Sequence, residues 1–273
     1  MATLKAASLF GVAGKRVLVT GGGSGIGAMM AEGFAANGAQ VIIASRNAKA
    51  LEATAAEVKA ATAADVETVV ADLGSRSGCE ALAAAVGGEP LDVLVNNSGT
   101  SWGEPLDRES GKMNWGWDKV IDLNVKAPFY LTRALLPSLV AASERSGTPA
   151  RVVMVGSVAG LTHQPTPTHA YDTSKAAIHS LTKKFASDFA PHVTVNAVAP
   201  GFVPSRMTKG LEAWGITLDG IAEHVPLNRV GAKGDMAGAA LFFASPAGSW
   251  VSGTVLPVDG GHLARGIPMP GDH

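Results

Sequence analysis

Lys15-Arg16-Val17-Leu18-Val19-Thr20-Gly21-Gly22-Gly23-Ser24-Gly25-Ile26-Gly27 is the stretch that decides the fold. After two basic residues, its first half is apolar and β-branched, which is the signature of a short buried strand. The second half is a glycine-rich turn, and Ala28 to Asn37 then carries a helical pattern closed by Gly38. Val41-Ile42-Ile43-Ala44 follows at once as a second apolar strand. Strand, turn, helix and strand within about 30 residues form a βαβ unit, and such a unit requires a parallel sheet.

The alternation continues outward from this unit. Further strands are expected at Glu67 to Val70, Leu91 to Val95, Arg151 to Val155, Val193 to Val198 and Val255 to Val258. Helices are expected at Ala48 to Ala61, Arg76 to Val86, 113–143, around Tyr171 to Ala190, and at Asp235 to Ser245, with breaks in the third at Pro128 and Pro137. Seven strands, nearly all buried runs, predict an α/β chain: one doubly wound, seven-stranded parallel sheet of Rossmann type in a single domain. Residues 1–11 read as a variable lead. Residues 202–230, poor in periodicity, read as a substrate flap with short helices, and 264–273 as a Pro/Gly-rich tail.

Composition removes several functional classes. The 273 residues are 47% apolar with a net charge of −1, so nothing steers the chain toward nucleic acid or an anionic membrane. A single cysteine, Cys79, excludes an internal disulfide and a thiolate metal cluster, and no metal is expected. Met1 to Phe10 does not read as a secretory signal, and no apolar run reaches the roughly 18 residues of a membrane span. The expectation is a cytoplasmic protein.

Glycines between a strand and a helix let bare backbone approach a pyrophosphate while the helix N-terminus faces it. Gly21, Gly23, Ser24, Gly25, Ile26 and Gly27 are therefore expected to cradle a dinucleotide. The end of the second strand selects which one. A carboxylate there would accept from the 2′-hydroxyl of NAD, yet this strand ends Ala44-Ser45-Arg46 and the next acidic residue is Glu52. Ser45 and Arg46 can donate to a 2′-phosphate, which favours NADP(H), although Ser24 leaves the turn without a second cation. Asp72 and Leu73 are placed at the adenine edge, and Asn97, Ser98 and Gly99 along the ribose.

Tyr171 and Lys175 stand four residues apart, one turn above each other on a helix. A phenol begins as a weak acid with a pKa of about 10, and a neighbouring ammonium favours its phenolate, which suits general acid work. Alone, such a pair is usually a packed ring beside a solvated charge. The glycine turn changes that balance by supplying a reason for the acid.

Thr20 to Gly27, Asp72, Asn96-Asn97-Ser98-Gly99, Asn124, Ser157, Tyr171, Lys175 and Pro200-Gly201 together resemble the short-chain dehydrogenase/reductase family, over Val12 to Leu263. Ser98 stands where the family usually has Ala. Within it, Gly99 to Gly103, Gly156 to Gly160 and Pro204 to Thr208 look most like NADP-dependent 3-oxoacyl reductases, nearest the type associated with rhamnolipid synthesis. The resemblance implies Tyr171 as general acid, with Lys175 tuning it and binding the nicotinamide ribose. It further implies Ser157 as a donor to the substrate carbonyl and Asn124 as holder of a relay water. Pro200, Gly201, Val203 and Ser205 would contact the nicotinamide end or the diphosphate.

Ser101, Trp102, Val158, His163, Gln164, Phe202, Met207 and Trp214 are expected to line a largely apolar substrate pocket suited to a ketone or acyl thioester. Ser157, His163 and Asp172 do not make a hydrolase triad, because 155–159 reads Val-Gly-Ser-Val-Ala rather than Gly-x-Ser-x-Gly. Arg133, Lys183 and Lys184 read as solvated surface charge rather than a carrier-protein dock. Apolar faces on the two long helices, with the family's habit, imply a homotetramer. The alternative readings are a sugar or polyol dehydrogenase of the same family, and an NADP(H)-binding protein without turnover.

Overall fold

The computed structural model describes residues 4–111, 113–164, 166–205, 208, 215 and 217–264. Seven strands form one sheet in the order β3-β2-β1-β4-β5-β6-β7. They are β1 (Arg16–Thr20), β2 (Gln40–Ser45), β3 (Val66–Val70), β4 (Val93–Asn96), β5 (Ala150–Val155), β6 (Val193–Pro200) and β7 (Val255–Val258). Every pairing is parallel. The described helices are α1 (Ala6–Leu9), α2 (Gly25–Ala36), α3 (Ala48–Thr62), α4 (Arg76–Val86), α5 (Trp115–Ile121), α6 (Ala127–Ser146), α7 (His169–Asp188), α8 (Leu218–Ala222) and α9 (Lys233–Ala244).

Strand alternation divides the core in two. Leu18, Ile42, Leu94, Val152 and Met154 face one side with Leu82, Leu131, Leu135 and Ile178 of α4, α6 and α7. Val17, Val19, Ile43, Val95 and Val153 face the other with Met30 and Phe34 of α2 and Phe243 of α9. Both faces are covered, as a parallel sheet requires. The strand order reverses between β1 and β4, so the crevice beyond their carboxyl ends is the place where such sheets bind ligands.

Three local expectations change. β3 is an edge strand rather than a buried run, with Val70 61% exposed. The helix after the glycine turn begins at Gly25, so Gly25 to Gly27 form its first turn instead of preceding it. Pro128 opens α6 near its N-terminus, but Pro137 lies inside α6 without ending it. The bond Pro137 forgoes would have gone to the carbonyl of residue 133, which is exposed and can be hydrated. Between α5 and α6 the chain widens into a π-helical turn, Asp122–Lys126.

Candidate active site

A cavity of about 1460 Å³ opens along the carboxyl ends of the strands. Its cofactor-sized half starts at the β1–β4 switch. Thr20 Oγ1 accepts from the backbone N–H groups of Asn97 and Ser98, both at 3.0 Å, and Asn97 Nδ2 donates to the Thr20 carbonyl at 2.9 Å. These bonds hold the glycine turn against the end of β4. Gly21 has φ +66°, and a Cβ there would lie 2.8 Å from Asn97 Nδ2. Gly25 also has positive φ, and its missing Cβ would reach within 3.4 Å of Ser205 Cβ across the cleft, filling the cradle. Gly21, Gly23, Ser24, Gly25 and Ile26 line the cavity with the N-terminus of α2, whose first turn carries no acidic residue. Gly27 sits behind them, where a Cβ would be 2.4 Å from Asn97 Nδ2. The cradle fits a dinucleotide diphosphate.

At its far end the cavity is lined by Ser45, Arg46, Asn47 and Lys49. Lys49 is a cation that the sequence reading missed. Asn47 caps α3 by accepting from Ala50 N–H at 3.1 Å, which places Lys49 in the first turn at the sheet edge. The signal was present in the expected start of that helix. Arg46 Nε lies 3.9 Å from Asp72 Oδ1, both side chains largely exposed, a pairing too weak to prevent Arg46 from turning to a phosphate. Ala71 and Leu73 line the cavity, whereas Asp72 does not; its carboxylate accepts from Gly74 N–H at 3.0 Å.

The reacting end is built by β5 and α7. Ser157 extends from β5 and accepts from Ala159 N–H at 3.1 Å, with its hydroxyl near enough to the Tyr171 phenol to act on its acidity. Lys175 is 6% exposed, donates to the Val155 carbonyl at 2.8 Å and sits 5.4 Å from the centroid of the Tyr171 ring. Burial brings the Lys175 ammonium down to about 8. Burial also pushes the Tyr171 phenol up, while the Ser157 hydroxyl pulls it back. The helical spacing predicts that Lys175 lowers the tyrosine's pKa. Desolvation outweighs it, because the ammonium is bound to a carbonyl and lies over the ring rather than at the hydroxyl.

Asn124 is buried in the π turn and does not line the cavity. Its Nδ2 donates to the Thr100 carbonyl and to Ser174 Oγ, both at 2.9 Å, and its Oδ1 accepts from Thr100 N–H at 2.8 Å. The side chain thus clamps the loop after β4 onto α7. Pro128 has no N–H to close an α-type bond to the Asn124 main-chain carbonyl.

His179 is a second residue missed in the sequence. Positions 171, 175 and 179 form one stripe of α7, and its spacing alone would have found it. The ring is 5% exposed beneath the Ser157 loop, with Nδ1 at 3.3 Å from the Gly160 carbonyl. A Cβ at Gly156 would lie 2.2 Å from His179 Nε2. Burial lowers the His179 pKa, so the imidazole is neutral.

Ser101, Trp102, Val158, Gln164 and Phe202 line the other half of the cavity, the half expected to hold substrate, joined by Thr168 and Asp172. His163 is exposed and outside the lining. The Asp172 carboxylate accepts from Thr168 Oγ1 at 3.0 Å, and Ser157 is engaged with Tyr171, so no hydrolase triad forms. Pro200, Gly201, Val203 and Ser205 line the opposite wall. Met207 and Trp214 lie outside the described residues.

A family model described as short chain dehydrogenase matches residues 15–215. The chain belongs to the short-chain dehydrogenase family. Among curated members, this short-chain dehydrogenase is 42% identical over 258 residues to the rhamnolipids biosynthesis 3-oxoacyl-[acyl-carrier-protein] reductase of Pseudomonas aeruginosa, covering 93% of this chain and 98% of the relative. It is 35% identical to galactitol 2-dehydrogenase (L-tagatose-forming) of Cereibacter sphaeroides, covering 93% and 97% of the two chains. Among solved structures it resembles the Pseudomonas aeruginosa RhlG/NADP active-site complex, with a TM-score of 0.85, 40% identity and coverage of 93% and 98%.

Proposed function

We propose that the protein is an NADP-dependent carbonyl reductase acting on 3-oxoacyl thioesters or related medium-sized ketones. The observation that carries the reaction is the convergence of Ser157, Tyr171 and Lys175 at the end of a cavity whose other end offers Arg46 and Lys49 and no carboxylate at the close of β2. The 3-oxoacyl reductase relative and the NADP complex support the choice of substrate and cofactor.

When bound, NADPH supplies the hydride. The chain's residues do the rest. Gly21, Gly23, Ser24, Gly25 and Ile26 would receive the diphosphate through bare backbone and the helix N-terminus. Arg46 and Lys49 would neutralise the 2′-phosphate, and Ser45 would donate a hydrogen bond to it. Ser157 and Tyr171 line the same end of the cavity, where one substrate carbonyl oxygen can accept from both hydroxyls. Tyr171, kept protonated by burial, gives its proton to that oxygen. With a pKa of about 8, Lys175 is mostly an ammonium at neutral pH and stabilises the phenolate left behind. Replacing that proton falls to Lys175 and a water on the Asn124 carbonyl. A protein that only bound NADP(H) would have no use for Tyr171. The half-exposed Phe129 ring on α6, stacked on the buried Phe185 of α7, is the apolar surface on which we base assembly into a homotetramer, and the cytoplasm is the compartment that fits this cofactor.

The test is NADPH oxidation against a panel of ketones that includes acetoacetyl thioesters, with galactitol and gluconate run in the oxidative direction. Turnover of the thioesters with NADPH is expected. Faster turnover of the polyols would move the protein to the sugar dehydrogenase reading, and equal rates with NADH would overturn the cofactor assignment.

A further inference from the structure

The Trp102 indole lines the substrate half, and its placement depends on three contacts that no catalytic role explains. Trp102 Nε1–H donates to Glu104 Oε2 at 3.1 Å. The ring meets Trp115 edge to face, with centroids 5.0 Å apart. Behind it lies Gly116, buried in α5, where a Cβ would fall 1.9 Å from Trp102 Cγ. Glu104 is the hub. Its carboxylate also accepts from Asn114 N–H at 3.1–3.2 Å, and its own N–H donates to the Pro167 carbonyl at 2.8 Å. The indole is therefore locked to both α5 and the loop that leads into the Tyr171 helix.

From these contacts we infer that Gly116 and Glu104 are specificity-determining residues. They hold Trp102 as a fixed wall that sets how long an acyl chain can lie beside the reacting carbonyl. The inference rests on the ketone-reductase reading above. Apart from Lys175 beside Tyr171, no cation lines the substrate half among the described residues, so the wall presents an aromatic face to an aliphatic chain rather than a clamp to a charged group. A methyl at Gly116 has no room behind the indole and must drive it into the cavity. Removing the indole enlarges the same space.

The measurement is kcat/KM for acetoacetyl and 3-oxododecanoyl thioesters, expressed as the long-to-short ratio, with NADPH affinity followed separately by fluorescence. Gly116→Ala should lower that ratio by about tenfold, the scale on which pocket shape discriminates chain methylenes, and Trp102→Ala should raise it. In the Trp102→Ala background, Gly116→Ala should have no further effect on the ratio. Glu104→Ala releases the indole without adding volume, so it keeps the test open if Gly116→Ala does not fold, and it should shift the ratio in the direction of Trp102→Ala. An unchanged ratio in Glu104→Ala, or an equal loss from Gly116→Ala with and without the indole, overturns the inference. In either case the thioester turnover of the unaltered enzyme leaves the proposed reaction standing. Absence of any thioester turnover by the unaltered enzyme would instead sink the reading on which the inference rests.

Discussion

Lys175 should weaken the fold it serves, and Lys175→Met exposes that cost. The ammonium has an ordinary pKa of 10.5 and is brought to about 8 by burial at 6% exposure. At about 1.4 kcal/mol per tenfold, that difference amounts to roughly 3 kcal/mol set against the native state at neutral pH. Methionine keeps most of the apolar stem but leaves the Val155 carbonyl without the donor it has at 2.8 Å, a loss of about 1 kcal/mol. The variant should therefore be more stable by roughly 2 kcal/mol near neutral pH while losing its activity. The sign of the pH dependence follows from proton counting. Between about 8 and 10.5 the unfolded chain holds a proton that the native protein has shed, so native stability rises with pH in that window. Below it both states carry the proton and the difference is flat. Urea unfolding without cofactor, at matched ionic strength, near neutral pH and again near the upper end of the window, should show the methionine advantage shrinking toward zero or reversing. A pH-independent difference, or a Lys175→Met protein less stable at neutral pH, would refute the burial account.

Three further single variants address the ends of the cavity. Arg46→Ala and Lys49→Ala should each raise the Kd for NADPH by about tenfold, the scale of one charge-assisted hydrogen bond, and leave NADH binding nearly unchanged in a fluorescence titration. Gly156→Ala forces a Cβ to within 2.2 Å of His179 Nε2 and should reduce kcat by displacing Ser157, with little effect on NADPH affinity. Pairing it with His179→Ala should recover part of the loss, and a double variant no better than Gly156→Ala would show that His179 does not support the Ser157 loop.

Most of the scaffold could be read from the chain, because buried parallel strands and the glycine turn write themselves in unbroken apolar runs and in Gly21, Gly23 and Gly25. Tyr171, Lys175 and Ser157 were legible because helical spacing and strand ends place them without knowledge of packing. What escaped depends on approach between distant segments. Lys49 reaches the cavity only because Asn47 caps α3 at the sheet edge. His179 matters only because Gly156 and Gly160 let the Ser157 loop settle on it. Pro137 looked like a helix break, yet solvent at its forgone carbonyl lets α6 continue. The tyrosine's acidity was misjudged for a related reason, since a spacing shows a neighbouring charge but not the desolvation that competes with it.

The most direct test of the central claim, that Tyr171 delivers the proton, is the kcat of Tyr171→Phe for NADPH-dependent reduction of a 3-oxoacyl thioester. The phenylalanine ring preserves the packing over Lys175 and removes only the hydroxyl. Loss of a general acid predicts a fall of about a thousandfold, with NADPH still bound. A Tyr171→Phe enzyme that keeps its wild-type kcat would contradict the account.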